Sequence, residues 1–330
     1  MLNLLARLYG SIVARRNKRY DSGRKATIKL DKPVISIGNV SAGGSGKTPV
    51  TELIVELLRS IKRRPAVVAR GYKRRGRGIT VVHDGVRICT DWSQAGDEPF
   101  MIASTCNVPV VVGSHKGDAA VHAAGTLPCD VIVVDDGFQH RDLYRDVDMV
   151  LVDRATIADP RLLPAGRLRE PLASLCRADA VLLMHPAVTA ADVRPFMRAD
   201  AVVARISIER DRQTDLATSA ERPLPASCYV VTGIARPERV LTMLHDMGVN
   251  VVGHSPFPDH HDYTKQDVDA VIAAANGTTI VTTSKDAVKL HGFVDVVVAA
   301  GVDVIVVHIR ATIDEGAREL MTLITERIAS

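Results

Sequence analysis

Residues 33–50, PVISIGNVSAGGSGKTPV, constrain the fold more than any other part of the chain. A short apolar run at 34–37 reads as a buried strand, and a glycine-rich loop ending in Lys47 and Thr48 follows it. Val50, Leu53, Ile54, Leu57, Leu58 and Ile61 then recur at three-to-four spacing, the period of an amphipathic helix. Strand, glycine-rich loop, lysine, hydroxyl and helix in that order make a phosphate-binding loop. The glycines let backbone N–H groups close on phosphate oxygens, and the helix N-terminus adds partial positive charge. The predicted phosphate contacts are Ser41, Ala42, Gly43, Gly44, Ser45, Gly46, Lys47 and Thr48, with Lys47 on the β- and γ-phosphates and the Thr48 hydroxyl on Mg²⁺. Ser41 stands where the consensus has its first glycine, and Gly43 and Gly44 supply the flexibility instead.

A chain of 330 residues is long enough for two domains, each with its own core. An aromatic content of 4% argues against a stacking platform for single-stranded nucleic acid, and no nucleic-acid partner is expected. The five cysteines are scattered and never form a C-x-x-C pair, which points to a reducing compartment and to neither a disulfide framework nor a zinc site. No apolar run reaches the roughly 18 residues of a membrane span. Charge is uneven: residues 1–32 hold nine Lys or Arg against two Asp, a net +7, so the remainder sums to −3 within the total of +4. Leu4, Leu5, Leu8, Tyr9, Ile12 and Val13 share one face of a predicted N-terminal helix that ends in Arg15, Arg16, Lys18 and Arg19. Arg7 interrupts its apolar part and no cleavage pattern follows, so it is a poor secretory signal. A basic amphipathic helix of this kind either lies in an anionic bilayer interface or packs on its own domain with a solvated basic end.

Further strands are predicted at 65–69, 108–112, 131–134, 147–153 and 180–184, and a hairpin at 79–90 with Asp84 and Gly85 at its turn. The strand at 131–134 is apolar throughout, as a parallel strand covered on both faces must be, and it ends in Asp135 and Asp136. An acid at the carboxyl end of such a strand in a phosphate-loop protein helps hold Mg²⁺. Asp97, in GDEP, starts a helix and is either a cap or a catalytic acid. The basic segment 69–78, with Arg70 and Tyr72 after a strand, is either a solvated loop or an anion contact. Arg169 and Glu170, in LLPAGRLREP, are either a surface pair or ligand contacts. From Arg205 to Ala226 the chain turns polar, which places a domain boundary at 222/223. A second αβ series follows. His260 and His261 stand in FPDHHDY, where a histidine paired with a carboxylate forms an acid–base pair. TTSKDAVKL at 282–290 fails as a guanine-specificity motif because Ala287 stands two residues after Lys285.

In one order the chain carries GNVSAGGSGKTP, ARGY, GDEP, DDGFQHR, LLPAGRLREP, VTGIARPERV, FPDHHDY and TSKDAVK. Each is weak alone. As an ordered set covering nearly the whole chain they resemble the tetraacyldisaccharide 4′-kinase family, the lipid A 4′-kinases of Gram-negative bacteria. The resemblance implies a parallel α/β/α phosphate-loop domain over 1–222, carrying the N-terminal membrane-associating helix. A smaller α/β/α domain over 223–330 would close the cleft. It implies ATP-dependent phosphorylation of the 4′-hydroxyl of a tetraacyldisaccharide 1-phosphate, giving the 1,4′-bisphosphate. The enzyme would sit peripherally on the cytoplasmic face of the inner membrane, with no obligatory protein partner. It further implies ATP and Mg²⁺, with Thr48 and Asp135 or Asp136 on the cation. Asp97 would be the base, with His260 orienting it. His260 takes this place over His261 because D-H-x-x-[FY] aligns Asp259, His260 and Tyr263. Gln139, Arg70, Tyr72, Arg169 and Glu170 would contact nucleotide or lipid. Two other classes fit a phosphate loop: a membrane-associated NTPase switch or metallochaperone, which hydrolyses nucleotide without an acceptor, and a nucleic-acid-dependent NTPase.

Overall fold

The computed structural model describes residues 1–44 and 46–329. Among the described residues, twelve strands form one sheet. In chain order they are β1 (Val34–Asn39), β2 (Pro65–Ala69), β3 (Thr80–His83), β4 (Val110–Val112), β5 (Val131–Asp135), β6 (Val147–Val152), β7 (Ala180–Leu183), β8 (Val202–Asp215), β9 (Ser227–Thr232), β10 (Asn250–Pro256), β11 (Ile280–Thr283) and β12 (Val304–Glu315). The longer helices are α1 (Leu2–Asp21), α2 (Lys47–Ser60), α3 (Asp97–Cys106), α4 (Lys116–Thr126), α5 (Glu238–Asp246), α6 (Lys265–Ala275), α7 (Ser284–Leu290) and α8 (Ala317–Ile328).

The strand order is β10-β9-β11-β12-β8-β7-β6-β1-β5-β2-β4-β3. β1 lies between β5 and β6 and is parallel to both. All six of its residues are buried, which is why it reads as an apolar run rather than an alternation. One face of this parallel unit is covered by Val50, Ile54 and Leu58 of α2, Ile102 and Ala103 of α3, and Leu320, Ile324 and Ile328 of α8. Ala119, Ala120 and Ala123 of α4 cover the other face beside Ile132 and Val134. A second parallel group, β10-β9-β11 with the first part of β12, has α6 and α7 on one face and α5 on the other.

The two groups are joined by an antiparallel ribbon. β8 starts parallel to β7 and continues antiparallel to β12. The polar stretch from Arg205 is therefore largely strand, and Pro223 and Pro225 fall beyond it. Its polarity reflects a ribbon whose middle residues face solvent, not a loop. α8 returns to the first group after β12 has crossed between the two. Near Asp84 the chain turns back on itself one residue later than expected, with Asp84 N–H bonded to the Arg87 carbonyl and a His83–Ile88 bridge.

Candidate active site

The carboxyl ends of β1, β5 and β7 open into a cavity of about 1460 Å³ between the two strand groups. α2 begins at its floor. Gly46, at φ 81, occupies the left-handed region that glycine adopts freely, and it starts α2 without a side-chain cap. The first N–H groups of α2 are thus left for a ligand, as a phosphate site requires. Gly43, Gly44, Gly46, Lys47 and Thr48 line the cavity. Ser41 is buried below it and Ala42 N–H bonds the Arg167 carbonyl at 2.8 Å. Ser45 lies outside the described residues.

Asp135 and Asp136 stand beside the loop because β5 pairs with β1 in register. The turn after β5 can press against β1 only because residue 38 is glycine: a Cβ there would meet Phe138 at 2.6 Å. The two acids differ. Burial pushes Asp135 up to about 6, helped by the nearby Glu98 charge, and its Oδ1 accepts from Thr51 Oγ1 at 3.0 Å. Burial also raises Asp136, but Lys47, Lys116 and Arg169 outweigh it and hold this carboxyl well below the usual range. Lys47 Nζ is 3.6 Å and Arg169 3.0 Å from the Asp136 carboxylate. Asp136 has φ 51, a left-handed backbone that a non-glycine residue adopts at a cost. Gln139 Nε2 donates to the Asn39 carbonyl at 2.7 Å, and Gln139 lines the cavity.

Across the cleft, His260 sits at φ 62 with its N–H on the Gly233 carbonyl. Its Nδ1 lies 2.8 Å from Asp97 Oδ2 and 3.0 Å from Oδ1. Lys289 Nζ is 2.9 Å from the same Asp97 Oδ2. Burial raises Asp97, but the His260 hydrogen bond and the Lys285 and Lys289 charges outweigh it and hold the carboxyl well below its ordinary range. With its proton on Nδ1, His260 keeps Nε2 as an acceptor, and Lys285 Nζ donates there at 3.2 Å. Tyr72 packs its ring edge-on to His260 with centroids 5.0 Å apart. Arg70, Tyr72, Arg169 and His260 line the cavity, while Asp97 lies directly behind His260.

Glu170 is placed elsewhere. It is fully buried and receives Arg16 at 2.9 Å, Asn17 at 2.8 Å and Arg177 at 3.0 Å. It ties α1 to the body of the protein and does not line the cavity. Sequence reading gave no role to Lys285 and Lys289, which α7 presents one turn apart: TSKDAVK counted as one of the ordered motifs and failed as a guanine motif, and neither use singled out its lysines. It also missed Glu98, which accepts from Lys285 at 3.2 Å, and the fully buried Lys116, whose Nζ donates to the Asp135 and Asp136 carbonyls at 2.5 and 2.6 Å. A lone lysine between a strand and a helix carries no sequence signal of burial.

The family model for tetraacyldisaccharide-1-P 4′-kinase matches residues 1–329. This chain belongs to the tetraacyldisaccharide 4′-kinase family. The kinase is 39% identical over 301 residues to a relative of that name in Azoarcus sp. (strain BH72), covering 89% of this chain and 84% of the relative. It is 40% identical over 297 residues to another in Anaeromyxobacter sp. (strain Fw109-5), covering 86% and 80%. The fold of the kinase matches a crystal structure of LpxK from Aquifex aeolicus, described as in complex with ATP. That match has a TM-score of 0.79 and 31% identity over 98% of this chain and 97% of that one.

Proposed function

We propose that the cavity between the two strand groups is where this kinase transfers the γ-phosphate of ATP to the 4′-hydroxyl of a tetraacyldisaccharide 1-phosphate, the 4′-phosphorylation of lipid A biosynthesis. The observation that carries the reading is the convergence of two separate elements on one cavity: the phosphate loop with Lys47, and the Asp97–His260 pair. ATP phosphates rest on the loop and the α2 N-terminus, with Lys47 on the β- and γ-oxygens. Gln139 and Arg169 flank them. Phosphoryl transfer asks mainly for positioning and charge neutralisation.

The oxygens at hand fit a hard divalent cation. Asp136 Oδ1 is buried without a hydrogen-bond partner, and Asp135 is a carboxyl that burial and the Glu98 charge push up. Mg²⁺ would be held by the Thr48 hydroxyl and Asp135 or Asp136, together with phosphate oxygens. When bound it neutralises charge on the β- and γ-phosphates. Asp97 and His260 act as one pair. The 4′-hydroxyl gives its proton to the pair as its oxygen bonds to the γ-phosphorus, and the bond to the β-phosphate oxygen breaks to release ADP. Asp97 holds His260 Nδ1, and His260 lines the cavity. Arg70 and Tyr72 line the acceptor side.

The N-terminal helix supports docking at an anionic membrane surface. Met1, Leu2, Leu4, Leu5, Leu8 and Ile12 are exposed along α1, and the exposed Arg15 and Arg19 follow. Among the described residues no helix is long and apolar enough to cross a membrane. Tyr9 of α1 donates to the Arg169 carbonyl at 3.0 Å while the Arg169 guanidinium holds Asp136, so one residue touches both the membrane helix and the phosphate site. This placement suits the cytoplasmic face of the inner membrane, with residues 1–222 and the returning α8 on one side of the cleft and the rest of 223–330 on the other.

The test is transfer of label from γ-labelled ATP to tetraacyldisaccharide 1-phosphate in mixed micelles. Wild-type protein should yield bisphosphorylated lipid. Lys47→Ala should lower turnover by about 10²–10³-fold, the scale of losing one preorganised charge contact in phosphoryl transfer. Asp97→Asn and His260→Gln should each lower kcat, and the double variant should be little worse than the poorer single one. Unchanged turnover in His260→Gln would remove it from the site, and acceptor-independent hydrolysis alone would point to an NTPase switch.

A further inference from the structure

Ser41, the departure from the phosphate-loop consensus, has a partner. Its side chain is buried at 4% exposure, and its hydroxyl lies 3.2 Å from Thr156 Oγ1, whose one proton goes to Asp153, so Ser41 is the donor. Thr156 lies in the short helix Arg154–Ala158, just after β6. Asp153 caps that helix: its Oδ1 accepts from Thr156 N–H at 2.9 Å and Thr156 Oγ1 at 2.7 Å. The other carboxylate oxygen of Asp153 accepts from Arg236 at 2.9 Å. Arg236 belongs to the other strand group, in the turn between β9 and α5. The neighbouring Ala235 approaches the loop itself, since a Cβ on Gly44 would lie 3.3 Å from the Ala235 Cβ. A chain of polar contacts therefore runs from the first residue of the phosphate loop, under the floor of the cavity, to the strand group that carries His260.

We propose that Arg236 is a positioning residue for ATP, acting through Asp153 and Thr156 to hold the β9–α5 turn over the phosphate loop. This rests on the reading of residues 41–48 as the ATP phosphate site. Three features argue for a built contact rather than a surface ion pair. Asp153 and Thr156 are 6% and 1% exposed, so the carboxylate is screened little by water. Both carboxylate oxygens are used, one on each side of the cleft. Arg236 also lines the cavity beside Gly43 and Gly44, so the contact with Asp153 sits at the loop and not on an outer surface. Loss of the contact frees the turn from the loop before nucleotide arrives, and ATP must then order both.

The experiment measures ATP binding by calorimetry, and KM and kcat with micellar acceptor, for Arg236→Ala, Arg236→Lys, Asp153→Asn and the Arg236→Ala/Asp153→Asn double variant. Each single loss should raise KM for ATP about 10- to 100-fold, the effect of one charge-assisted hydrogen bond. The double variant should raise it no further than the worse single one, because both break the same link. Arg236→Lys should recover part of the loss. kcat at saturating ATP should fall by less than KM rises. Multiplying effects in the double variant, or a KM for ATP within threefold of wild type in Arg236→Ala, would overturn the proposal. A lower thermal midpoint with unchanged ATP affinity would mean a structural role only and would overturn it too. Lys47→Ala separates this failure from that of the underlying reading: if it binds ATP as tightly as wild type, the phosphate-loop assignment itself is wrong.

Discussion

Replacing Glu170 by glutamine should release α1 without touching the nucleotide site. Glu170 is 0% exposed and receives two arginines and an asparagine, with Arg16 and Asn17 coming from α1. Few other contacts hold that helix: only Ala6 and Val13 are buried along it, joined by the Tyr9 bond to Arg169 and the Arg141 bonds to Asn17 and Asp21. Removing one member of a buried charge cluster costs about 3–5 kcal/mol because the others are left uncompensated. The amide keeps the volume and some hydrogen bonding, so about 2–3 kcal/mol is the expected loss here. That raises the population of the undocked helix roughly 30- to 150-fold. Trypsin reads it directly, since Arg15 and Arg19 are exposed but protected by helical structure. Cleavage after Arg15, Arg16 and Arg19 should accelerate by that factor where opening is fast relative to cutting, while the affinity for ATP stays at the wild-type value. Two results would refute the reasoning: wild-type cleavage rates, or weakened ATP binding with α1 still protected, which would return Glu170 to the ligand-binding role its sequence context suggested.

Three further outcomes follow from the same structure. Burial, then the nearby Glu56 and Asp135 charges, raise Glu52 from 4.5 to about 7. A raised folded-state value means stability that is full below about 4.5 and lost as pH rises toward 7, so Glu52→Gln should gain roughly 2–3 kcal/mol over wild type above pH 8 and nothing near pH 4. Thermal midpoints of both proteins across pH 4–9, without nucleotide or divalent cations, check this, and a pH-independent difference would contradict it. Lys116→Met should cut kcat/KM about 10- to 100-fold, because Asp135 and Asp136 lose the donor that fixes the ends of their peptide units. Equal activity in steady-state assays would show that β5 holds the acids unaided. Leu5→Glu/Leu8→Glu on the exposed face of α1 should abolish sedimentation with anionic vesicles while leaving ATP binding intact, and persistent sedimentation would place membrane contact elsewhere.

Much of the site was legible because its chemistry is local in sequence. A strand, a glycine-rich loop and a helix announce a phosphate site within eighteen residues, and β1, the loop and α2 fall where the periodicity put them. Two acids after an apolar run announce a strand end beside it, and the parallel pairing of β5 with β1 delivers them there. The ordered motifs, not their spacing, linked Asp97 to His260 across 163 positions, and the two do hydrogen-bond. What stayed hidden was direction. Arg169 and Glu170 are adjacent and were read together, yet the chain bends there, and Arg169 reaches Asp136 while Glu170 reaches α1. Polarity misled in the same way at Arg205, where an exposed ribbon has the composition of a linker. Lys116 was unreadable because burial of a lysine depends on two carbonyl acceptors from another strand.

These failures share a cause that bears on how the kinase works. Each unread contact joins elements distant in the chain: Glu170 to α1, Lys116 to β5, Lys285 to Glu98, Arg236 to Asp153. The loop, the acids and the Asp97–His260 pair are each encoded compactly, but none is productive alone, since phosphoryl transfer depends on holding donor and acceptor in line. The cross-cleft contacts supply that relation. Lys285 is the clearest case: it touches Glu98 of α3, Asp259 and His260, so one cation binds the end of the acid–base pair to the helix that starts at Asp97. Burial lowers its proton affinity, but Glu98, Asp97 and Asp259 together raise it above the ordinary lysine value, so the cation persists through the neutral range. That ammonium group donates to His260 Nε2 and so fixes the ring from the side opposite Asp97. Lys285→Met should therefore lower kcat about 10- to 100-fold with KM for ATP little changed, because the His260 ring and the helix that starts at Asp97 lose their common donor. An unchanged kcat would mean that the Lys289–Asp97 pair holds the two sides of the cleft without it.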